Sequence, residues 1–293
     1  MSLVFDEATL QSARLLVRLS LEEDLGTIGD ITSMATIPES LNATVRLVVR
    51  QAGIISGLAV MPLVFEHLPG LVTWKTFATD GDAVKAGTIL AEISGPVRSL
   101  LTGERTVLNF MTHLSGIASR TAEFVAAIVG TRATILDTRK TLPGYRLLQK
   151  YAVRCGGGVN HRMGLYDGML IKDNHLAARG ESRCAAAVSD ARTFLAGRNL
   201  QTAIEIEVDT IDQLNDALCE RPEIVLLDNM QPDLLRQCVE IRNRLSPATL
   251  LEASGGVSLQ TVRSIAETGV ERISVGSLTH SATALDLAFD WPW

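Results

Sequence analysis

The chain has 293 residues, 46% of them hydrophobic and 20% charged, and carries a net charge of −6. That length allows one large domain or two ordinary ones with an ample core, and the acidic balance argues against a nucleic-acid surface. No apolar run reaches the ~18 residues of a membrane span. The opening MSLVFDEATL mixes acids into its apolar residues, unlike a signal peptide. The four cysteines lack CxxC or zinc spacing, which points to reduced thiols in a cytoplasmic protein.

Residues 7–25 have helical spacing, with Leu10, Ala13, Leu16, Val17 and Leu21 on one face. Val45, Leu47 and Val49 alternate with Thr44, Arg46 and Arg50, the pattern of a half-buried strand. A helix over 58–67 and a strand over 72–76 follow. DGDAVKAGTILAEISG, 80–95, reads as a β-hairpin. It is similar to the hairpin of biotinyl and lipoyl carriers, but the chain has no Met-Lys pair, and turn chemistry alone accounts for its glycines. From about 103 the pattern changes. A long helix over 103–130 leads into short apolar strands at 133–136, 169–171, 203–208, 223–227, 249–251 and 272–275, with helices between them. Thr210 and Gln213 form a capping box. Ser258 caps the helix that Gly269 ends.

Each of these strands ends in a group that can do chemistry: Asp137 followed by Arg139 and Lys140, then Lys172, Glu207, Asp228, Ser254 and Gly276. Functional groups at the C-terminal ends of successive parallel strands are the α/β-barrel pattern. A doubly wound sheet, the alternative, would concentrate them at one switch point.

The stretch from Asp137 to His175 holds seven Lys or Arg, three Asp and no Glu. An acidic chain that gathers cations in one glycine-punctuated segment has a local anion site. Arg105, Arg139 and Arg162 offer paired donors in a fixed fork, which suits planar carboxylates; an isolated Arg such as Arg105 can equally be a solvated surface charge. Glu207 and Asp228 end neighbouring strands. They can bind a divalent metal through oxygen, steer ribose hydroxyls or stabilise positive charge at a sugar carbon. Glu205 lies on the same strand face as Glu207, and Glu207 can also pair with Lys172. Ser254, Gly255 and Gly256 let backbone N–H groups approach a phosphate at a helix start, and Val275, Gly276 and Ser277 repeat the arrangement. His280 is either a further donor or a packing residue. Gly156, Gly157 and Gly158 do not match a dinucleotide fingerprint. Cys155 beside them is not needed as a nucleophile, and His175 anchors the loop after Lys172.

The runs DTRKTLPG, KYAVRCGGGVNHR and LIKDNH resemble the signature of the quinolinate phosphoribosyltransferases. The similarity continues through LTGERTVLNF, EIEV, LLDNM, EASGG and SVGSLTH, and so spans nearly the whole chain. This resemblance implies an N-terminal α/β sandwich domain over 1–112, joined by a C-terminal helix over 281–293, and an incomplete α/β barrel over 113–280. It implies phosphoribosyl transfer from phosphoribosyl pyrophosphate to quinolinate with decarboxylation, in NAD biosynthesis. Arg105, Thr138, Arg139, Lys140, His161, Arg162, Lys172, Glu207 and Asp228 would contact substrates, and Lys140, Lys172, Glu207 and Asp228 would be catalytic. Glu207 and Asp228 would also hold magnesium, directly or through water or substrate. Ser254, Gly255, Gly256, Val275, Gly276, Ser277 and His280 would hold phosphate. The resemblance also implies a homodimer in which Arg105 reaches the partner's site, with a hexamer as the larger alternative. Ala253 stands where relatives often have serine, and Tyr145 where they often have an aliphatic residue.

Overall fold

A computed structural model describes residues 3–180 and 183–293. Its helices are α1 (Glu7–Leu25), α2 (Ile31–Thr36), α3 (Val60–Phe65), α4 (Val97–Ala127), α5 (Arg146–Cys155), α6 (Asp173–Arg179), α7 (Cys184–Gly197), α8 (Ile211–Cys219), α9 (Pro232–Leu245), α10 (Val262–Ala266) and α11 (Ser277–His280). Its strands are β1 (Asn42–Val49), β2 (Gly53–Ile54), β3 (Thr73–Thr76), β4 (Ala83–Val84), β5 (Ile89–Pro96), β6 (Thr134–Leu136), β7 (Met169–Ile171), β8 (Ile204–Val208), β9 (Ile224–Asp228), β10 (Leu250–Ser254), β11 (Arg272–Ser274) and β12 (Leu287–Asp290). Among the described residues, no helix is long and apolar enough to cross a membrane.

The chain divides into two compact units. The first takes 1–122, 140–157 and 277–293; the second takes 123–139 and 158–276. The boundary expected after residue 112 falls inside α4, because the apolar periodicity of that helix runs on without a break.

The first unit carries an antiparallel sheet in the order β12-β1-β5-β3. Val45, Leu47 and Val49 of β1 are fully buried while Arg46 faces solvent and pairs with Glu92 directly opposite, at 3.0 Å. Helix α1 begins at Asp6, whose carboxylate accepts the Thr9 amide at 2.8 Å, and buries Ala13, Val17 and Leu21. It packs on α3 and α5. Two sequence expectations fail in this unit. Residues 281–293 contain no long helix: β12 pairs antiparallel with β1, burying Leu287 and Phe289 in strand alternation. Residues 80–95 form no hairpin, since β4 pairs with β2 and β5 pairs with β1 and β3. Local turn signals fix where the chain bends, whereas strand partners depend on distant residues.

The glycine run after α5 has a packing role. A Cβ on Gly156 would sit 2.3 Å from the Ala118 carbonyl oxygen, so α5 ends against α4 at a spacing only glycine permits. Gly157 has φ +84°, the left-handed region. Cys155 is buried, its thiol pushed up to about 11 by burial, as an inert core cysteine requires. Tyr145 stacks on Phe110 with ring centroids 5.6 Å apart, so it packs within this unit.

The second unit is a parallel sheet in the order β6-β11-β10-β9-β8-β7. The first strand pairs with the last, the cyclic order of a barrel rather than of a doubly wound sheet. The segment after α5 adds a single parallel bridge, Val159 to Leu136, on the free side of β6. The barrel is incomplete because this segment has no ladder to β7. All five residues of β8 are buried, since both faces are covered. Thr210 and Gln213 form the expected capping box. Ser258 instead opens a turn, and α10 starts only at Val262, with Thr261 as its N-cap residue.

A buried ion pair ties α9 to the turn before β11. Arg242 donates twice to Glu271, at 2.9 and 3.0 Å, with side chains only 3% and 15% exposed. Burial opposes Glu271 ionisation, but Arg242 and the Leu251 amide outweigh it and hold the carboxyl below its ordinary 4.5. The pair therefore stabilises the fold above pH 4.5, and this contribution disappears as pH falls through the lowered folded value. Arg242→Ala is expected to cost about 3 kcal/mol, because it leaves the largely buried Glu271 with only the Leu251 amide and the exposed Arg132, 3.5 Å away. Urea unfolding at pH 7 and pH 4 checks this; a loss below about 1 kcal/mol at pH 7 would reduce the pair to a surface contact.

Candidate active site

The polar residues of the second unit lie in two tiers on the concave face of its sheet. Glu205 of β8 and Glu252 of β10 meet around one histidine although β9 lies between their strands. Side chains two strands apart can meet only where the sheet curves around them. Strand alternation puts Glu207 on the same face as Glu205, and Ser254 on the same face as Glu252.

The upper tier lies at the C-terminal ends of the strands. Lys172 Nζ donates to Glu207 Oε2 at 2.5 Å, the pairing expected at the barrel mouth; Glu207 is buried and the lysine side chain is 44% exposed. His175 accepts the Lys172 amide at 2.9 Å and so anchors the start of α6 as expected. Asp228 ends β9, and its Oδ2 accepts the Asn229 amide group at 2.6 Å. Asn229 has φ +55°, and its side chain closes on the next loop: a Cβ on Gly255 would lie 2.1 Å from Asn229 Oδ1. Gly255 and Gly256 have φ +90° and +60°, and a Cβ on Gly256 would meet nothing within 4 Å. The Ser254 loop thus offers bare backbone beside Asp228. Helix α10 is too short and too late to add the helix-start dipole read from Ser258.

The lower tier is a charge cluster. His161 Nε2 lies 3.1 Å from Glu205 Oε2 and 3.4 Å from Glu252 Oε1, and Arg272 Nε donates to Glu252 Oε2 at 2.7 Å. Glu252 is 0% exposed and Glu205 4%. Burial pushes against ionisation of Glu252, but His161 and Arg272 more than offset it and its pKa falls. Burial and then the charge of Glu252 raise Glu205, despite its hydrogen bond to His161. His161, Glu205 and Glu252 bring potential metal-ligand atoms within 4.8 Å of one another. Arg272 already supplies the cation there, and a divalent ion would have to share the pocket with a guanidinium.

The charge of His161 is set by opposing influences. Burial disfavours its imidazolium, yet its bonds to Glu205 and Glu252 push it up to about 9. Against that, the Arg162 amide donates to His161 Nδ1 at 2.8 Å. A nitrogen that accepts a hydrogen bond cannot carry a proton. The geometry decides: Nδ1 is bare and the ring hydrogen lies on Nε2, facing the two glutamates.

The backbone of this segment is held equally firmly. Asp137, fully buried at the end of β6, accepts the His161 amide at 2.9 Å and the Asn160 side chain at 2.6 Å. Arg162 then donates to the Gly168 carbonyl at 2.9 Å. Burial and the charge of Arg139 both lower the Arg162 pKa, so the two guanidiniums repel each other. Arg139 Nε is buried with no hydrogen-bond partner. A cavity of about 320 Å³, lined by His161, Arg162, Met169, Glu205, Ile224 and Arg272 among others, reaches the starts of β7, β8, β9 and β11.

The other residues singled out in the sequence are divided between the units. Thr138, Val275 and Gly276 belong to the second unit. Lys140, Arg105, Ser277 and His280 belong to the first. There the Lys140 carbonyl accepts Thr279 Oγ1 at 2.7 Å, and His280 is exposed, its ring bonded to Ser281 Oγ at 2.7 Å. Arg105 is exposed on α4 and makes no ion pair among the described residues. Sequence reasoning missed the parts played by Glu252, Arg272 and Asn160. Glu252 could have been found as the residue two before Ser254 on the same strand face.

Residues 30–115 match the N-terminal domain of quinolinate phosphoribosyl transferase and residues 117–290 match its C-terminal domain. A nicotinate-nucleotide pyrophosphorylase (carboxylating) of Mycobacterium leprae is 43% identical over 98% of this chain and 100% of its own length. A probable enzyme of the same name from Bacillus subtilis is 40% identical over 96% and 93%. The structure of the nicotinate-nucleotide pyrophosphorylase from Francisella tularensis superposes with a TM-score of 0.88 at 38% identity, covering 96% of each chain. With both domain models matched in order and relatives aligned along almost their full length, the chain belongs to the quinolinate phosphoribosyl transferase family.

Proposed function

We propose that this protein transfers the phosphoribosyl group of phosphoribosyl pyrophosphate to quinolinate, releasing pyrophosphate and carbon dioxide and forming nicotinate mononucleotide for NAD biosynthesis. The observation that carries the reading is the buried Arg139 Nε, which has no hydrogen-bond partner, in a guanidinium that repels Arg162. Two such guanidiniums repel each other, and a dicarboxylate relieves both the repulsion and the orphaned donor. Relatives of this family carry names for the same reaction.

The roles follow from charge and position. Arg139 and Arg162, with Thr138 and Lys172, hold the two carboxylates and aim the ring nitrogen at the sugar. That nitrogen bonds to the anomeric carbon as the bond to pyrophosphate oxygen breaks. Glu207 and Asp228 face the positive charge that develops on the ribosyl carbon, and Lys140 neutralises the departing pyrophosphate. Backbone amides of Ser254, Gly255, Gly256, Val275, Gly276 and Ser277, with His280, hold the ribosyl phosphate. The ring nitrogen is now cationic. The adjacent carboxylate leaves as carbon dioxide, its bonding electrons pass to the ring, and the ring carbon takes a proton from solvent.

Glu207 and Asp228 are hard oxygen donors on adjacent strands and fit magnesium. Lys172 already occupies one oxygen of Glu207, so the ion would be held mainly by Asp228 and by substrate oxygens. When bound, it supplies charge neutralisation at the pyrophosphate. We also infer a cytoplasmic homodimer or larger assembly. Exposed Arg105 would serve the partner's site, and exposed Ile31 and Met34 on α2 would help form the contact.

Purified protein given phosphoribosyl pyrophosphate and magnesium should form nicotinate mononucleotide and carbon dioxide from quinolinate. Product from nicotinate instead would overturn the substrate. Lys140→Ala should lower turnover by about 100-fold or more with the fold intact; unchanged turnover removes its leaving-group role. Mixing that variant with Arg105→Ala, after subunit exchange, should restore activity, whereas no recovery counts against a shared site. Asp228→Ala should shift the magnesium titration of phosphoribosyl pyrophosphate binding to higher concentration; an unshifted curve assigns the residue a structural role.

A further inference from the structure

The resemblance places His161 among the residues that contact the substrate, but the structure uses both of its ring nitrogens internally. Nε2 faces Glu205 and Glu252, and Nδ1 accepts the amide of Arg162. The ring is 9% exposed and has no ring nitrogen left to present to a ligand. The next residue, Arg162, carries a guanidinium repelled by that of Arg139, where a dicarboxylate is proposed to bind.

We propose that Glu205 and Glu252 are positioning residues: they hold the His161 ring, and the ring, through Nδ1, holds the backbone of Arg162 and so aims its guanidinium at the substrate.

The chain of contacts is complete from the barrel interior to the site. Arg272 fixes Glu252 at 2.7 Å. Glu205 Oε2 lies 3.1 Å from Nε2, and Glu252 Oε1 lies 3.4 Å from it as an electrostatic neighbour without a hydrogen bond of its own. Asp137 holds the His161 amide at 2.9 Å, so ring and backbone are pinned from opposite ends. The Arg162 amide lies 2.8 Å from Nδ1, and its guanidinium rests on the Gly168 carbonyl at 2.9 Å. Burying two carboxylates in a barrel is costly unless each is paired, and a cluster that only filled space would be replaced at little cost by apolar side chains. Groups that orient a binding residue are retained because loosening them changes its aim. This role differs from the one read from alternation alone, in which Glu205 joins Glu207 at the reacting sugar. Glu205 sits two residues lower on the strand and faces His161.

The proposal rests on Arg162 receiving the quinolinate carboxylates. Its test therefore begins with a measurement that involves no substrate. In the wild-type protein labelled with ¹⁵N at histidine, and with the His161 signals identified by their absence in His161→Gln, one ring nitrogen should be protonated and the other bare at pH 7. Two protonated nitrogens would overturn the arrangement, even if no variant folds. Steady-state kinetics then compare Glu205→Leu with Glu205→Gln. Glu205→Leu should raise KM for quinolinate by about 10–100-fold while KM for phosphoribosyl pyrophosphate stays within about twofold. Glu205→Gln keeps an acceptor oxygen for Nε2–H and should recover most of the loss. An equal rise in both KM values, or no rise, or equal defects in Leu and Gln, would overturn the positioning role. Wild-type protein that shows the bare Nδ1 but never turns over quinolinate would instead refute the assigned substrate.

Discussion

The second unit is organised by one constraint: charges placed inside a parallel barrel must be paired there. Glu205 and Glu252 are almost entirely withdrawn from water, and an isolated carboxylate in that setting would be protonated or expelled. Arg272 and the His161 ring lower the pKa of Glu252 against its burial, while burial raises that of Glu205. Once these partners are fixed, the position of the segment carrying His161 and Arg162 is fixed as well. The strands could be extended in register without the cluster. The curved sheet brings β8 and β10 together around one ring, and the cluster gives that curvature a chemical consequence.

Above the cluster, the site is built from residues left incompletely satisfied. Arg139 and Arg162 repel each other, and Arg139 keeps a buried N–H without a partner. Gly255 and Gly256 hold the left-handed conformation and expose backbone. Such features cost stability in the free protein and return it when an anion binds. Unpaired atoms remain in the charge cluster as well, since Glu205 Oε1 and Glu252 Oε1 are buried without a hydrogen-bond partner. A metal suits Glu207 and Asp228 better than the tighter cluster at His161, where a guanidinium already supplies the positive charge.

Much of this is legible in the sequence, for reasons that can be located. Glu7 to Leu25 reads as a helix because its apolar period is local. The barrel is legible because each strand ends in a functional group, and the Lys172–Glu207 pair because both lie at strand ends in the mouth. The errors share a cause. A hairpin over 80–95 and a helix over 281–293 rest on nearby turn residues and composition. The actual partners of β4, β5 and β12 lie in β1, β2 and β3, outside the segments that carry those local signals. Gly156 looks uninformative because its reason, the Ala118 carbonyl of α4, is also remote.

The sequence by itself determined the alternation of strand and helix, the ends of the strands where chemistry gathers, and the family, because these depend on periodicity and on ordered motifs. Only the tertiary structure decided which of two glutamates on one strand face pairs with a lysine at the rim and which with a histidine. Residues two apart on a strand share a face, so sequence spacing cannot distinguish them. Depth in the barrel separates Glu205 from Glu207: one lies beside Glu252 and His161, out of water, and the other beside Lys172 at the rim.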